Sequence, residues 1–202
     1  MMRKGADRWD ERYRSATVTA RPAQVLLENR HLLPPQGRVL DLACGLGRNS
    51  LFLAERGGLR VSAWDFSRVA IDKLRETACA RDLDISAEVR DVVADPPPPR
   101  SFDVIVVTRF LDRSLVPHLL SALLPGGVIF YQTFLLEAID KTIGPQDPVF
   151  RLARNELLEL FRPLCLLFYR EEGRVGDISE GFRNEAMLVA WKDPGRHPAA
   201  AV

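Results

Sequence analysis

Val39-Leu40-Asp41-Leu42-Ala43-Cys44-Gly45-Leu46-Gly47-Arg48-Asn49 is the stretch that decides the fold of this chain. An apolar run over 38–42 reads as a strand and leads into a turn of small residues. Residues 48–55 then read as a helix closed by Gly57 and Gly58. Gly45 and Gly47 let the backbone approach a ligand closely and adopt conformations barred to other residues. The turn aims backbone N–H groups at a helix N-terminus, where an anionic group is welcome. Strand, glycine turn and helix in that order open a nucleotide-binding α/β sheet.

Outward from this unit, apolar strands alternate with amphipathic helices. Residues 21–33 read as a helix, with Pro22 in its first turn and Pro34-Pro35 at its end. A second strand spans 60–64. Ser67 then caps a helix to about residue 81, with Val69, Ala70, Leu74 and Ala78 on one face. Strands follow at 85–89 and 102–107; the latter is almost wholly apolar, as expected at the centre of a parallel sheet. A helix over 115–124 stops at Pro125-Gly126-Gly127, before a fifth strand at 128–133. Asn155 is placed to cap a helix over 156–161. Strands at 164–169 and 186–191 end the chain with no helix between them, so they suit an antiparallel hairpin. The pattern predicts a Rossmann-like, doubly wound α/β fold: a seven-stranded sheet, mostly parallel, with a C-terminal antiparallel hairpin.

The 202 residues suit one domain, expected over 21–192. Residues 1–20 are expected to form an N-terminal lid segment and 193–202 a disordered tail. The connection over 135–149, with Gly144-Pro145 and Asp147-Pro148, is long enough to be a second lid. Lys plus Arg total 28 and Asp plus Glu 27. That balance argues against a sequence-independent hold on a phosphate backbone, so no nucleic-acid partner is expected. Cys44, Cys79 and Cys165 lie far apart, and His31, His118 and His197 show no ligand spacing, so neither a disulfide framework nor a metal site is expected. The polar N-terminus and the lack of a long apolar run predict a cytoplasmic protein with no membrane partner. Oligomeric state has no signature in the chain.

Three acids end successive strands. Asp41 closes the first. Asp65 closes the second and stands where nucleotide-binding sheets place a ribose-binding carboxylate. Asp91 follows the third, in Arg90-Asp91-Val92. Ligands of open α/β sheets sit at the carboxyl ends of the strands, so the coincidence says more than any one acid.

DLACGLGRN, AWDFS, VRDV, FDVIVVTRFL and LLPGGVIFYQTF, in this order and spacing, resemble the successive motifs of class I S-adenosylmethionine-dependent methyltransferases. The match covers 24–133. Trp9-Asp10-Glu11-Arg12-Tyr13 and Gly144-Pro145 resemble a bacterial branch related to tellurite-resistance methyltransferases. The resemblance implies S-adenosylmethionine as cofactor and S-adenosylhomocysteine as product. Asp41, Ala43, Cys44, Gly45 and Gly47 would serve its methionine moiety, and Asn49 would also contact the cofactor. Asp65 would take the ribose, with Ser67 beside it, and Asp91 the adenine amine, with Phe66 and Val92 flanking the ring. Thr108, Arg109 and Phe110 would lie beside the transferable methyl, and Tyr13 over the cofactor. Tyr131 and Phe134 would line the acceptor pocket with Tyr13 and Phe110. The positioning candidates for transfer are Tyr13, Arg109 and Phe110.

Two departures stand out. Ala43 replaces the usual first glycine, and Thr108-Arg109-Phe110-Leu111 stands where many nitrogen methyltransferases carry Asn/Asp-Pro-Pro-Tyr/Phe. The reading is an enzyme that methylates a small-molecule acceptor by in-line displacement, with no evident general base. Two alternatives are weighed against it. An NAD(P)-dependent oxidoreductase would expect Gly or Ala where Ser50 stands. A non-catalytic cofactor-binding module on the same fold is the other, because fold does not imply function.

Overall fold

The computed structural model describes residues 2–17 and 21–195. Most of the expected tail, at 196–202, therefore lies outside the described residues, as do 18–20 of the N-terminal segment. Helix α1 spans Met2–Arg14 and α2 spans Gln24–Glu28. The sheet begins with β1 (Gly37–Leu42), followed by α3 (Arg48–Ala54), β2 (Leu59–Asp65), α4 (Arg68–Ala80) and β3 (Ile85–Val89). Next come β4 (Phe102–Thr108), α5 (Val116–Ala122), β5 (Leu123–Phe134), α6 (Glu156–Leu160), β6 (Cys165–Arg170) and β7 (Glu185–Trp191).

The seven strands are ordered β3-β2-β1-β4-β5-β7-β6. β1 pairs in parallel with β2 and β4, and the parallel ladder continues to β3 on one side and β5 on the other. β7 lies antiparallel between β5 and β6. The expected antiparallel hairpin is present, and its second strand is inserted into the sheet. The strand order reverses between β1 and β4, which places the ligand crevice of such a sheet at their carboxyl ends.

Both faces are covered. On one, Val39, Val61, Val104, Val106 and Phe130 pack with Val25 and Leu26 of α2 and Leu53 of α3. On the other, Leu40, Leu42, Ile105, Val107 and Ile129 pack with Leu119 of α5 and Leu157 of α6. Ala70, Ile71, Leu74 and Ala78 are the buried face of α4. Val69, expected on that face, is only half-buried.

Three local expectations are corrected. The helix expected over 21–33 runs only Gln24–Glu28 before a 3₁₀ turn at Arg30–Leu32. Asn29 donates its side-chain amide to the Val25 carbonyl at 3.0 Å, a local bond that competes with continuation of the helix. The helix expected over 115–124 ends at Ala122, because Leu123 already pairs with Phe102. The register then shifts to Val104 opposite Val128, which absorbs Pro125-Gly126-Gly127. Asn155 precedes α6 in the left-handed region, φ 60°, without a side-chain cap. Glu156 instead turns back on the preceding loop and accepts the Ala153 N–H at 2.7 Å.

The connection over 135–149 is tied down. Arg151 is 4% exposed. Its guanidinium donates to the carbonyls of Leu135 (3.0 Å), Lys141 (3.1 Å), Ile143 (2.7 Å) and Pro145 (2.7 Å). Among the described residues no helix is long and apolar enough to cross a membrane.

Candidate functional site

The turn after β1 holds the site together. Ala43, Gly45 and Gly47 take φ of 54°, 55° and 75°, all left-handed. Glycine adopts this region freely. Alanine does so at roughly 1–2 kcal/mol, so Ala43 keeps the turn under strain. A β-carbon on Gly47 would stand 2.3 Å from Leu74 Cδ1, which makes this position glycine for packing as well. The Cys44 thiol is buried and its pKa is pushed well up by burial, then by the Asp65 and Asp41 carboxylates, so it stays protonated.

Asp41 is fully buried at the end of β1. Its Oδ2 accepts the Ser50 hydroxyl at 2.6 Å, while Oδ1 has no partner. Burial raises its pKa from 3.8 to about 6, against the Ser50 hydroxyl, the nearby Asn49 side chain and the Ser50 backbone N–H, which lower it without giving Oδ1 a well-formed hydrogen bond. Asp65 reaches across from β2. Its Oδ2 accepts the Gly45 N–H at 2.7 Å and its Oδ1 the Ser67 N–H at 2.9 Å. Burial raises this carboxyl too, with the backbone N–H groups of Ser67, Gly45 and Phe66 opposing. Asp91 Oδ1 accepts the N–H groups of Val93 and Ala94, each at 3.2 Å. The Arg90 N–H donates to the Asp65 carbonyl at 2.8 Å, which brings the ends of β2 and β3 side by side. Val92 is buried and Phe66 half-buried. The three acids thus line one edge of the sheet, as their positions after successive strands imply.

Helix α1 closes over this turn. A β-carbon on Gly45 would stand 2.8 Å from the Tyr13 hydroxyl, and the Tyr13 ring stacks on Trp9 at 5.8 Å. Burial and the Asp65 charge raise the Tyr13 pKa, so the phenol stays neutral. Asp10 accepts the Ser67 hydroxyl and, at 3.2 Å, the Val69 N–H, adding a carboxylate to the N-terminus of α4. Ser67 Oγ also accepts the Ala70 N–H at 3.1 Å. Lys73 donates to the carbonyls of Tyr13, Arg14 and Ala16 at 2.8, 2.8 and 2.9 Å. Sequence periodicity missed Asp10 and Lys73 as partners. Asp10 and Tyr13 lie three residues apart, the helical spacing for one face, and that was the available signal.

The end of β4 is fastened from two sides. Asn49 donates to Thr108 Oγ1 at 3.0 Å and accepts the Ala23 N–H at 2.9 Å. Both expected cofactor residues therefore bond each other, and Asn49 ties α2 to the sheet. Arg109 is left-handed, φ 57°, and its Nε donates to the buried Glu185 at 3.1 Å. Tyr131 corrects an expectation: it is 1% exposed, donates its hydroxyl to the Phe110 carbonyl at 2.9 Å, and packs on Phe161. It positions Phe110 rather than lining an open pocket. Phe134 is also buried, beneath Gly144. His118 is exposed on α5, away from these groups. Among the described residues no His, Cys, Asp or Glu cluster is arranged to hold a metal ion.

Residues 39–127 match the model of a methyltransferase domain. The chain is 33% identical over 139 residues to a probable S-adenosyl-L-methionine-dependent methyltransferase TehB from Haemophilus influenzae, covering 66% of this chain and 48% of that relative. It is 32% identical over 140 residues to trans-aconitate 2-methyltransferase from Variovorax paradoxus, covering 66% and 49%. The crystal structure of TehB from Haemophilus influenzae superposes with a TM-score of 0.69 at 27% identity, over 93% of this chain and 67% of that one. The chain spans about half the length of these two curated relatives. With β7 inserted antiparallel, the glycine turn after β1 and acids at three strand ends, the chain is similar in sequence and fold to the class I S-adenosylmethionine-dependent methyltransferases, and residues 39–127 match a methyltransferase domain.

Proposed function

We propose that this chain transfers a methyl group from S-adenosylmethionine to a small-molecule acceptor by direct in-line displacement. The observation that carries the reading is the buried, unpartnered Oδ1 of Asp41 beside the glycine turn. A buried acceptor without a donor is costly, by about 1–3 kcal/mol, so a ligand N–H or ammonium that reaches it would be favoured. The methionine end of the cofactor brings an ammonium group. In this reading Asp41, Ala43, Cys44, Gly45 and Gly47 hold that end. Asp65 keeps lone pairs beyond its two backbone bonds and takes the ribose hydroxyls. Asp91 takes the adenine amine, between Phe66 and Val92.

The sulfonium supplies a methyl already activated towards attack. The work left to the chain is to orient an acceptor and exclude water. Orientation of this kind accounts for about 7–11 kcal/mol of a barrier. Tyr13, neutral and seated on Gly45, shields the site from solvent. Residues 2–17 act as its lid. Arg109 and Phe110, at the end of β4, face the acceptor. The small acceptor is supported by the relative named for trans-aconitate, and a place near the tellurite-resistance branch by the likeness to TehB. The cytoplasm is the expected compartment.

Calorimetric titration of the purified chain with S-adenosylhomocysteine, and separately with NADH, tests this. Binding of the first and not the second is expected. The reverse would make the chain an oxidoreductase.

A further inference from the structure

Two arginines stand at the mouth of the site: Arg109 is ion-paired through its Nε alone, and Arg48 makes no ion pair among the described residues. The Arg109 N–H donates to the Gln132 carbonyl at 2.7 Å, and its Nε to Glu185 Oε1 at 3.1 Å. The other Glu185 oxygen accepts the Gln132 side-chain amide, whose own oxygen accepts the Val25 N–H at 2.8 Å. Glu185 and Gln132 are 6% and 4% exposed. A buried polar chain therefore runs from α2 through β5 and β7 and ends on Arg109 Nε. Among the described residues no hydrogen bond engages the two terminal nitrogens of Arg109. Its backbone is held at φ 57°, a strained conformation that survives only where the surroundings impose it.

Arg48 opens α3, which is bonded to the end of β4. Asn49, the residue after Arg48, bonds Thr108, the residue before Arg109, at 3.0 Å. The side chain of Arg48 is half-buried, and among the described residues it makes no hydrogen bond or ion pair. Burial and then the neighbouring Arg109 pull its pKa below the usual arginine value, while Glu185, Asp41 and Tyr13 act the other way. Glu185 pairs with Arg109, and the Asp41 carboxylate acts on Arg48 without an ion pair. Among the described residues the terminal nitrogens of both arginines make no hydrogen bond, so an anion from outside the chain could engage them.

We propose that the acceptor carries a carboxylate and that Arg109, with Arg48 beside it, grips it. This rests on the methyltransferase reading of the same site. A guanidinium fixed by its Nε presents its terminal nitrogens as a fork that matches a planar carboxylate. Half-buried Phe110 follows Arg109 in the chain. It offers an apolar wall to the stem of an organic acid. An inorganic oxyanion has no apolar part to set against it.

The test uses the full chain saturated with S-adenosylhomocysteine. Acetate, succinate and benzoate are titrated by calorimetry, with their neutral amides as controls and selenite as the inorganic oxyanion. At least one carboxylate is expected to bind more tightly than its amide and than selenite. Arg109→Gln and Arg48→Gln should each weaken that carboxylate by about tenfold or more. Arg109→Lys should recover only part of the loss, because it keeps the charge and not the fork. Each variant is measured at its own saturating S-adenosylhomocysteine, and thermal melts check folding; Arg48→Gln carries the test if Arg109→Gln unfolds. Selenite binding above every carboxylate overturns the proposal, as does an absence of carboxylate binding or equal affinity in both glutamine variants. If S-adenosylhomocysteine itself fails to bind, the methyltransferase reading falls first, and the proposal with it.

Discussion

The hydroxyl of Tyr13 rests against Gly45, 2.8 Å from where a β-carbon on that residue would stand. The N-terminal helix is therefore seated on the one turn of the sheet that has no side chain at this point. Gly45→Ala would push Tyr13 away and strain a backbone at φ 55°. We expect a loss of about 1–2 kcal/mol in chemical denaturation. Tyr13→Ala should slow methyl transfer more than it lowers stability. A variant that loses stability and keeps its turnover number would make Tyr13 structural.

Asp41 predicts a pH dependence. Its folded pKa lies near 6 against 3.8 for the free side chain. Between these values the folded state binds more protons than the unfolded one. Stability should therefore fall as pH rises from about 4 to about 6 and be level above that. Cofactor binding favours the ionised carboxylate, so affinity for S-adenosylhomocysteine should weaken as pH falls through about 6. Burial raises Asp65 in the same direction. Asp41→Asn should show weak binding and a flatter profile in calorimetry across this window; an unchanged slope would assign the effect elsewhere.

Ala43 is strained at φ 54°. Ala43→Gly relieves roughly 1–2 kcal/mol of left-handed strain, and the freer unfolded chain takes back about 0.4–1 kcal/mol. The net gain should raise the melting temperature by about 2 °C. A lower melting temperature would show that the alanine methyl contributes packing that outweighs its strain.

Asp65 has two duties, since it accepts backbone N–H groups from both Gly45 and Ser67. Asp65→Ala should weaken S-adenosylhomocysteine severely and also cost about 1–3 kcal/mol of stability, because those donors lose their partner. Stability equal to the parent would mean that water replaces the carboxylate.

Lys73 anchors the C-terminal end of α1 through three carbonyls. Lys73→Met should speed tryptic cleavage after Arg12 and Arg14 by several-fold, because local opening exposes the helix without unfolding the sheet. Equal cleavage rates would mean that α1 is held by Asp10 and Tyr13 alone.

Much of the site was legible because it is local. Asp65 and Asp91 sit where their strands end, and strand ends can be read from apolar runs and turn residues. Tyr131 was misread for a physical reason. β5 is covered on both faces, so alternation along it does not separate a pocket wall from core. Asn49 has a duty that the sequence did not show: its amide joins α2 to β4, a contact between residues that are far apart in the chain. Arg151 had no pattern at all: a single buried guanidinium orders a connection that composition presents as a loose lid.

The amino-acid order by itself determined the alternation of strands and helices, the glycine turn, the acids at the strand ends and the unhelical C-terminal pair. These depend on side-chain periodicity and backbone preferences within a few residues. Only the tertiary structure decided that α1 lies on Gly45, that β7 enters between β5 and β6, and that Arg109 and Glu185 meet. Those outcomes depend on how separate elements dock, and docking is set by the summed packing of the whole sheet rather than by any local pattern.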